Sequence, residues 1–258
     1  MIPAVHPRRT FSYLVAALAL AFLGLSSIAV ATPTVSFTAK IVPIPGFPGT
    51  GVLGAGAMIE GQGTISGDEY ADGSPPPLTQ IKVYVPKGLT LHSQGFPECS
   101  SAILESHEVQ RCPKGSKAGG VGSATGVVSF GSDRVNETVS LQPYFDQVGE
   151  LSFFVEGKTP ASIEFLVAAH TVASSNPSFS KEMIFEVPLI ETVPEAPDAS
   201  AEHGSISVGA AYKQGSKTIS YITLPKRCPK GGFPGKAQLT FLGGAVVEVY
   251  CDLPCPKV

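Results

Sequence analysis

The chain has 258 residues with 18 basic against 21 acidic side chains, a formal net charge of −3 and only 15% charged residues. A weakly acidic balance without charge blocks carries neither a phosphate-binding footprint nor a basic patch for an anionic bilayer, which argues against nucleic acid and electrostatic membrane docking as partners. The 28 glycines and 23 prolines fall between apolar stretches as turn punctuation, the composition of many short strands, and the absence of Trp removes the usual indole platform for sugars and cations.

At the N-terminus, Arg8 and Arg9 precede an apolar run over residues 11–25 and the small-residue exit Ala29-Val30-Ala31. That arrangement predicts a secretory signal peptide over residues 1–31, with the mature chain beginning at Thr32. Two alternatives accompany it. The apolar stretch 13–31 approaches the roughly 20 residues needed for an uncleaved membrane anchor, and Arg8-Arg9-Thr10-Phe11 has the form of a twin-arginine leader. Either way the rest, residues 32–258, is expected outside the cytoplasm, secreted or on the extracellular face of the cell envelope. Without the two leader arginines the balance becomes 16 − 21 = −5.

Period-2 alternation then recurs along the chain, the mark of half-buried antiparallel strands. Val35, Phe37, Ala39 and Ile41 share one face, and Ile81, Val83 and Val85 share another before the turn Pro86-Lys87-Gly88. Residues 121–130, rich in Gly, Ser and Ala, predict a strand closely approached by a neighbour. Residues 139–145 and 151–156 flank Asp146-Gln147-Val148-Gly149 as a hairpin, and further strands are expected over 162–170, 183–189, 205–211, 218–224, 237–242 and 245–251. A short helix within 97–107 begins at a serine cap. Residues 67–78, with Pro75-Pro76-Pro77, predict a stiff surface loop, and residues 191–200 a second connector. The expected fold is all-β: an antiparallel β-sandwich of about a dozen strands with one short helix, in one secreted domain.

Five cysteines stand at 99, 112, 228, 251 and 255 in a chain addressed to an oxidising compartment. Cys99 with Cys112 closes a short loop; Cys228 pairs with Cys255 or Cys251, a choice sequence leaves open. Parity favours Cys255, because Cys251 shares a strand face with Val247 and Val249 and fits the core as a small hydrophobe. Zinc held by Cys251, Cys255 and a histidine has no supporting spacing. The string R-C-P-K-G occurs at residues 111–115 and 227–231, either a remnant of duplication or a repeated disulfide turn within one sandwich.

Together, Pro75-Pro76-Pro77-Leu78, Val83-Tyr84-Val85-Pro86-Lys87-Gly88, Gly95-Phe96-Pro97-x-Cys99, Cys112-Pro113-Lys114-Gly115-Ser116, Arg227-Cys228-Pro229-Lys230-Gly231-Gly232-Phe233-Pro234 and Pro254-Cys255-Pro256-Lys257 resemble uncharacterised secreted proteins of high-GC Gram-positive (actinobacterial) bacteria. The likeness implies an exported β-protein whose last cysteine sits in a P-C-P ending, which matches Cys255 and leaves Cys251 outside the pattern. It brings no activity, catalytic residue or ligand.

Motifs that carry chemistry are weak. Gly49-x-Gly51-x-x-Gly54 has dinucleotide spacing but lacks the strand before and the helix after it. Asp68-x-Tyr70-x-Asp72-Gly73 resembles half a calcium loop, broken by Tyr70 and by Thr79 at the closing position. No G-x-S-x-G is present. Glu164 and His170 share a strand face, but six residues separate them by about 20 Å. Glu150, Glu156, Glu164, Glu182 and Glu186 fall on or beside expected strands, so a glycosidase-like carboxylate pair arises only by chance pairing. Asn136-Glu137-Thr138 fits a glycosylation sequon and reads as a loop.

The expectation is therefore a non-enzymatic structural or binding module with no catalytic residue, cofactor or metal, working on an envelope or extracellular partner. A sheet face, a strand edge or the Pro-rich loop would provide the contact. The alternatives are a secreted hydrolase, or a carbohydrate-binding module using Tyr70, Tyr84, Tyr144 and Phe154.

Overall fold

A computed structural model describes residues 32–67, 72–130, 133–146, 150–160, 162–191 and 197–256. The leader lies outside these residues, as do Tyr70 and most of the half calcium loop. The described residues carry fifteen strands and one short α-helix.

The alternating segments form strands as expected, joined by the unexpected β2 and β4: β1 (Thr34–Val42), β2 (Gly56–Ser66), β3 (Leu78–Pro86), β4 (Thr90–Leu91), β5 (Gly122–Phe130), β6 (Asp133–Phe145), β7 (Leu151–Gly157) and β8 (Ile163–Ala173). They continue as β9 (Phe179–Glu186), β10 (Ser200–Val208), β11 (Ala211–Gln214), β12 (Lys217–Ser220), β13 (Ile222–Thr223), β14 (Phe233–Phe241) and β15 (Val246–Leu253). Thirteen belong to one sheet, and β11 with β12 makes a separate hairpin. The sequon lies within β6 and is not a loop, because the strand extends back to Asp133 and buries Glu137 on its inner side. The proline run departs from expectation too. Ser74, Pro75 and Pro77 are fully buried, and the Pro77 carbonyl accepts from the Leu242 N–H at 2.8 Å, so this segment presents no backbone to a partner.

The main ladder runs β1-β2-β10-β5-β6-β7-β8-β9-β3-β14-β15, with ten successive antiparallel pairings. Ten reversals return the direction of the first strand, so β1 and β15 run the same way. Their Cα atoms come within 8 Å, closer than the roughly 10 Å between face-packed sheets. The ladder thus curls until its two ends adjoin, and one continuous sheet supplies both layers of the expected sandwich.

Between the layers, Val85, Phe153, Ala169, Met183 and Phe185 from β3, β7, β8 and β9 meet Ala39, Ile41, Ala57, Ile59, Ile206 and Val208 from β1, β2 and β10. Near the seam, Val35 and Phe37 of β1 pack with Leu239, Phe241 and Val249 of β14 and β15. Aromatic contacts link Tyr212 to Phe96 (4.9 Å), Phe96 to Phe145 (4.6 Å) and Phe145 to Tyr221 (5.0 Å) beside the core.

The helix α1 (Ser101–Glu105) is shorter than the 97–107 window, but its serine cap is real: Ser100 accepts from the Ile103 N–H. Cys99 and Cys112 are joined around it, with Cα atoms 4.9 Å apart, and Leu104 packs with Tyr144 and Phe154 on the outer face of the sheet. Cys228 is joined to Cys255, Cα atoms 6.1 Å apart, leaving Cys251 as the free thiol. The repeated C-P-K-G string is one turn used twice. The Ser116 N–H donates to the Pro113 carbonyl and the Gly232 N–H to the Pro229 carbonyl, both at 3.1 Å, with Gly115 and Gly231 at φ 94° and 90°. Lysine stands first and left-handed glycine second at the centre of each turn, and a positive φ at the second central position alone defines a type II turn.

Candidate functional site

Side chains on the outer face of β1, β2, β10, β5 and β6 form two cross-strand rungs. Register places Ser36, Thr64, His203, Thr125 and Thr138 in one row. The neighbouring row is Thr38, Gln62, Ser205, Ser123 and Ser140. Strand pairing at about 4.8 Å and a two-residue repeat of about 6.8 Å make this a small regular lattice of hydroxyl, amide and imidazole groups. Their inward-facing neighbours Gly63, Gly204 and Ala124 have little or no side chain, and a shallow hollow of about 400 Å³ lies over these strands.

Ser36 and Thr64 hydroxyls lie 2.6 Å apart, and those of Ser123 and Ser205 3.1 Å apart. A hydroxyl has one donor and two acceptor positions, so Ser36 and Thr64 keep capacity beyond each other, whereas Ser205 also accepts from the Ser123 N–H at 3.2 Å and donates to the Ser123 carbonyl at 3.4 Å. Thr38, Gln62, Thr125 and His203 make no side-chain hydrogen bond among the described residues. Charges stay at the borders: Lys40 pairs with Glu60 at 2.9 Å on one side, and Arg134 pairs with Glu202 on the other. An activated nucleophile needs a base within hydrogen-bond reach. His203 makes no hydrogen bond to a panel hydroxyl among the described residues.

The residues singled out from sequence lie elsewhere and are engaged. Glu164 pairs with His107, not His170, at 3.0 Å; His107 holds φ +60° just after α1, and this contact fastens the helical segment to the sheet. Glu156 stands opposite Glu164 in register and pairs with Lys158 at 3.0 Å. Glu150 accepts from the Thr171 N–H at 2.9 Å, Glu182 lies 3.6 Å from Lys82, and Glu186 accepts from Gln80 at 2.9 Å. His170 and Glu186 line a second hollow with Leu166 and Pro188. Asp72 accepts from the Ser74 N–H and hydroxyl, so its carboxylate is held within its own turn. The spacing motif at Gly49, Gly51 and Gly54 is a series of left-handed turns between β1 and β2, which denies it a helix N-terminus.

The aromatic set is also displaced. Tyr84, Tyr144 and Phe154 are 8%, 4% and 5% exposed, so they offer no stacking face. Tyr144 and Phe154 lie under α1. Tyr84 has the Lys236 ammonium 4.7 Å from its ring centre, with Tyr250 at 5.5 Å on another side. Glu248 lies 2.7 Å from that ammonium and accepts from the Tyr250 hydroxyl at 2.7 Å. The hydrogen bond between them holds the Lys236 pKa above its ordinary value and that of Glu248 below. Burial pushes the Tyr221 phenol and the Cys251 thiol up; nearby Glu150 and Asp252, respectively, act in the same direction.

Sequence reasoning missed the panel because β2 was not recognised as a strand. The signal was present: Ser, Thr, Gln or His recurs at every second position in S-F-T, Q-G-T, S-A-T and H-G-S. No protein-family model, curated protein or solved structure matches the chain.

Proposed function

We propose that this is a non-enzymatic binding module of the extracellular space or cell envelope, with the hydroxyl panel as its contact surface. The observation that carries the reading is the two-rung lattice of polar groups, of which Thr38, Gln62, Thr125 and His203 make no side-chain hydrogen bond among the described residues, with no Lys, Arg, Asp or Glu in either rung. The export leader read in residues 1–31 and the two disulfides support an oxidising compartment. Among the described residues, no helix is long and apolar enough to cross a membrane.

A binding module retains its ligand and leaves it unaltered. The purified chain is expected to bind an extracellular polymer in a sedimentation or retention assay while product analysis detects no cleavage. Turnover abolished by Glu164→Gln, at the site where carboxylates oppose each other across β7 and β8, would contradict the reading.

A further inference from the structure

We infer that the ligand of this panel is a neutral, hydroxyl-rich polysaccharide lying across the strands along the rungs; the inference rests on the binding reading above. The panel's chemistry separates it from the other ligand classes. A protein partner is anchored by buried aromatic or arginine side chains near the centre of its footprint, and neither rung contains one. A bilayer demands an apolar or polybasic surface, and a nucleic acid or anionic polymer demands unpaired cations. The cations at the borders, Lys40, Arg134 and Lys158, are already paired with Glu60, Glu202 and Glu156.

What remains is a dense array of groups that both donate and accept, matched by a chain whose rings carry hydroxyls on both edges. Five strands at about 4.8 Å spacing give each rung a span near 20 Å, suited to an extended polymer. Each hydrogen bond to the ligand replaces one to water and adds little alone. Affinity is therefore expected to rise with chain length as more of a rung is engaged.

The test is native affinity electrophoresis of the full secreted chain in gels holding dextran, a soluble β-glucan, a galactomannan or polygalacturonate. Wild type is compared with Gln62→Ala, Ser205→Glu and the distant Glu248→Gln. Expected is retardation by at least one neutral polymer, insensitive to salt and weakened about five-fold by Gln62→Ala. Ser205→Glu should weaken it further, and Glu248→Gln should match wild type. If Ser205→Glu fails to fold, Gln62→Ala decides, since that side chain is exposed and has no hydrogen-bond partner among the described residues. Salt-sensitive retardation by polygalacturonate alone, reduced by Ser205→Glu, overturns the ligand class while leaving the panel as contact surface. Retardation by a neutral polymer undiminished in both panel variants overturns the panel itself. No retardation by any neutral polymer overturns the inference.

Discussion

Gly122 in β5 and Gly204 in β10 differ in what a methyl group would meet. A Cβ on Gly122 would stand 2.1 Å from the Ser205 carbonyl oxygen, whereas a Cβ on Gly204 would have nothing within 4 Å. Gly122→Ala is therefore expected to destabilise by about 1–3 kcal/mol, and Gly204→Ala to stabilise by about 0.4–1 kcal/mol by narrowing the unfolded ensemble. Urea midpoints should move in opposite directions. At the Lys236–Glu248 pair, the lowered carboxylate pKa contributes stability above the ordinary glutamate value of about 4.3, lost as pH falls through the lower folded value. The raised lysine pKa contributes below its ordinary value of about 10.4 and is lost as pH rises through the folded one. Glu248→Gln should melt below wild type at neutral pH, and the gap should close under acid. Residue faces were legible where alternation alone sets them: Cys251 packs towards the core, as Val247 and Val249 foretell. The burial of Tyr84, Tyr144 and Phe154 was not legible, because Lys236 and α1 arrive from distant parts of the chain.

At the scale of elements, α1 has only five residues and depends on its attachments. The Cys99–Cys112 link, the Ser100 cap and the His107–Glu164 pair hold it against β6, β7 and β8. Replacing Cys99 and Cys112 together by alanine is expected to cost about 3 kcal/mol, with loss of hydrogen-exchange protection from residues 101–112 before the strands. Equal protection in both proteins would contradict this role. Element type was legible wherever apolar residues alternated, and the helix start was legible from its serine. β2 was not, since Gly61 and Gly63 stand where alternation would show inward side chains and Gly56 opens the strand on the other face. Those glycines serve packing: Phe37 lies 3.2 Å from where a Gly61 Cβ would be, and the Ser220 hydroxyl occupies the Gly56 position. The proline run read as surface because composition does not reveal a covering turn.

At the scale of the whole molecule, two layers and an all-β class follow from strand count and patterning, but the order of strands does not. β3 lies between β14 and β9, and β10 between β5 and β2, pairings between segments far apart in sequence. Every strand has a partner on offer, and only tertiary packing selects one. The polar panel is a product of that order, because β1, β2, β5 and β10 bring their hydroxyls together only when adjacent. The oxidising compartment has a direct check: the unfolded, unreduced chain should yield one alkylatable thiol, Cys251, and the folded chain should react more slowly there. Five reactive thiols in secreted material would contradict it.

The most direct test of the contact surface is a titration of isotope-labelled protein with the polymer that retards it, followed by amide chemical shifts. Changes are expected at residues 36–38, 62–64, 123–125 and 203–205. Changes gathered instead around His170, or between Glu156 and Glu164, with those four segments unmoved, would contradict it.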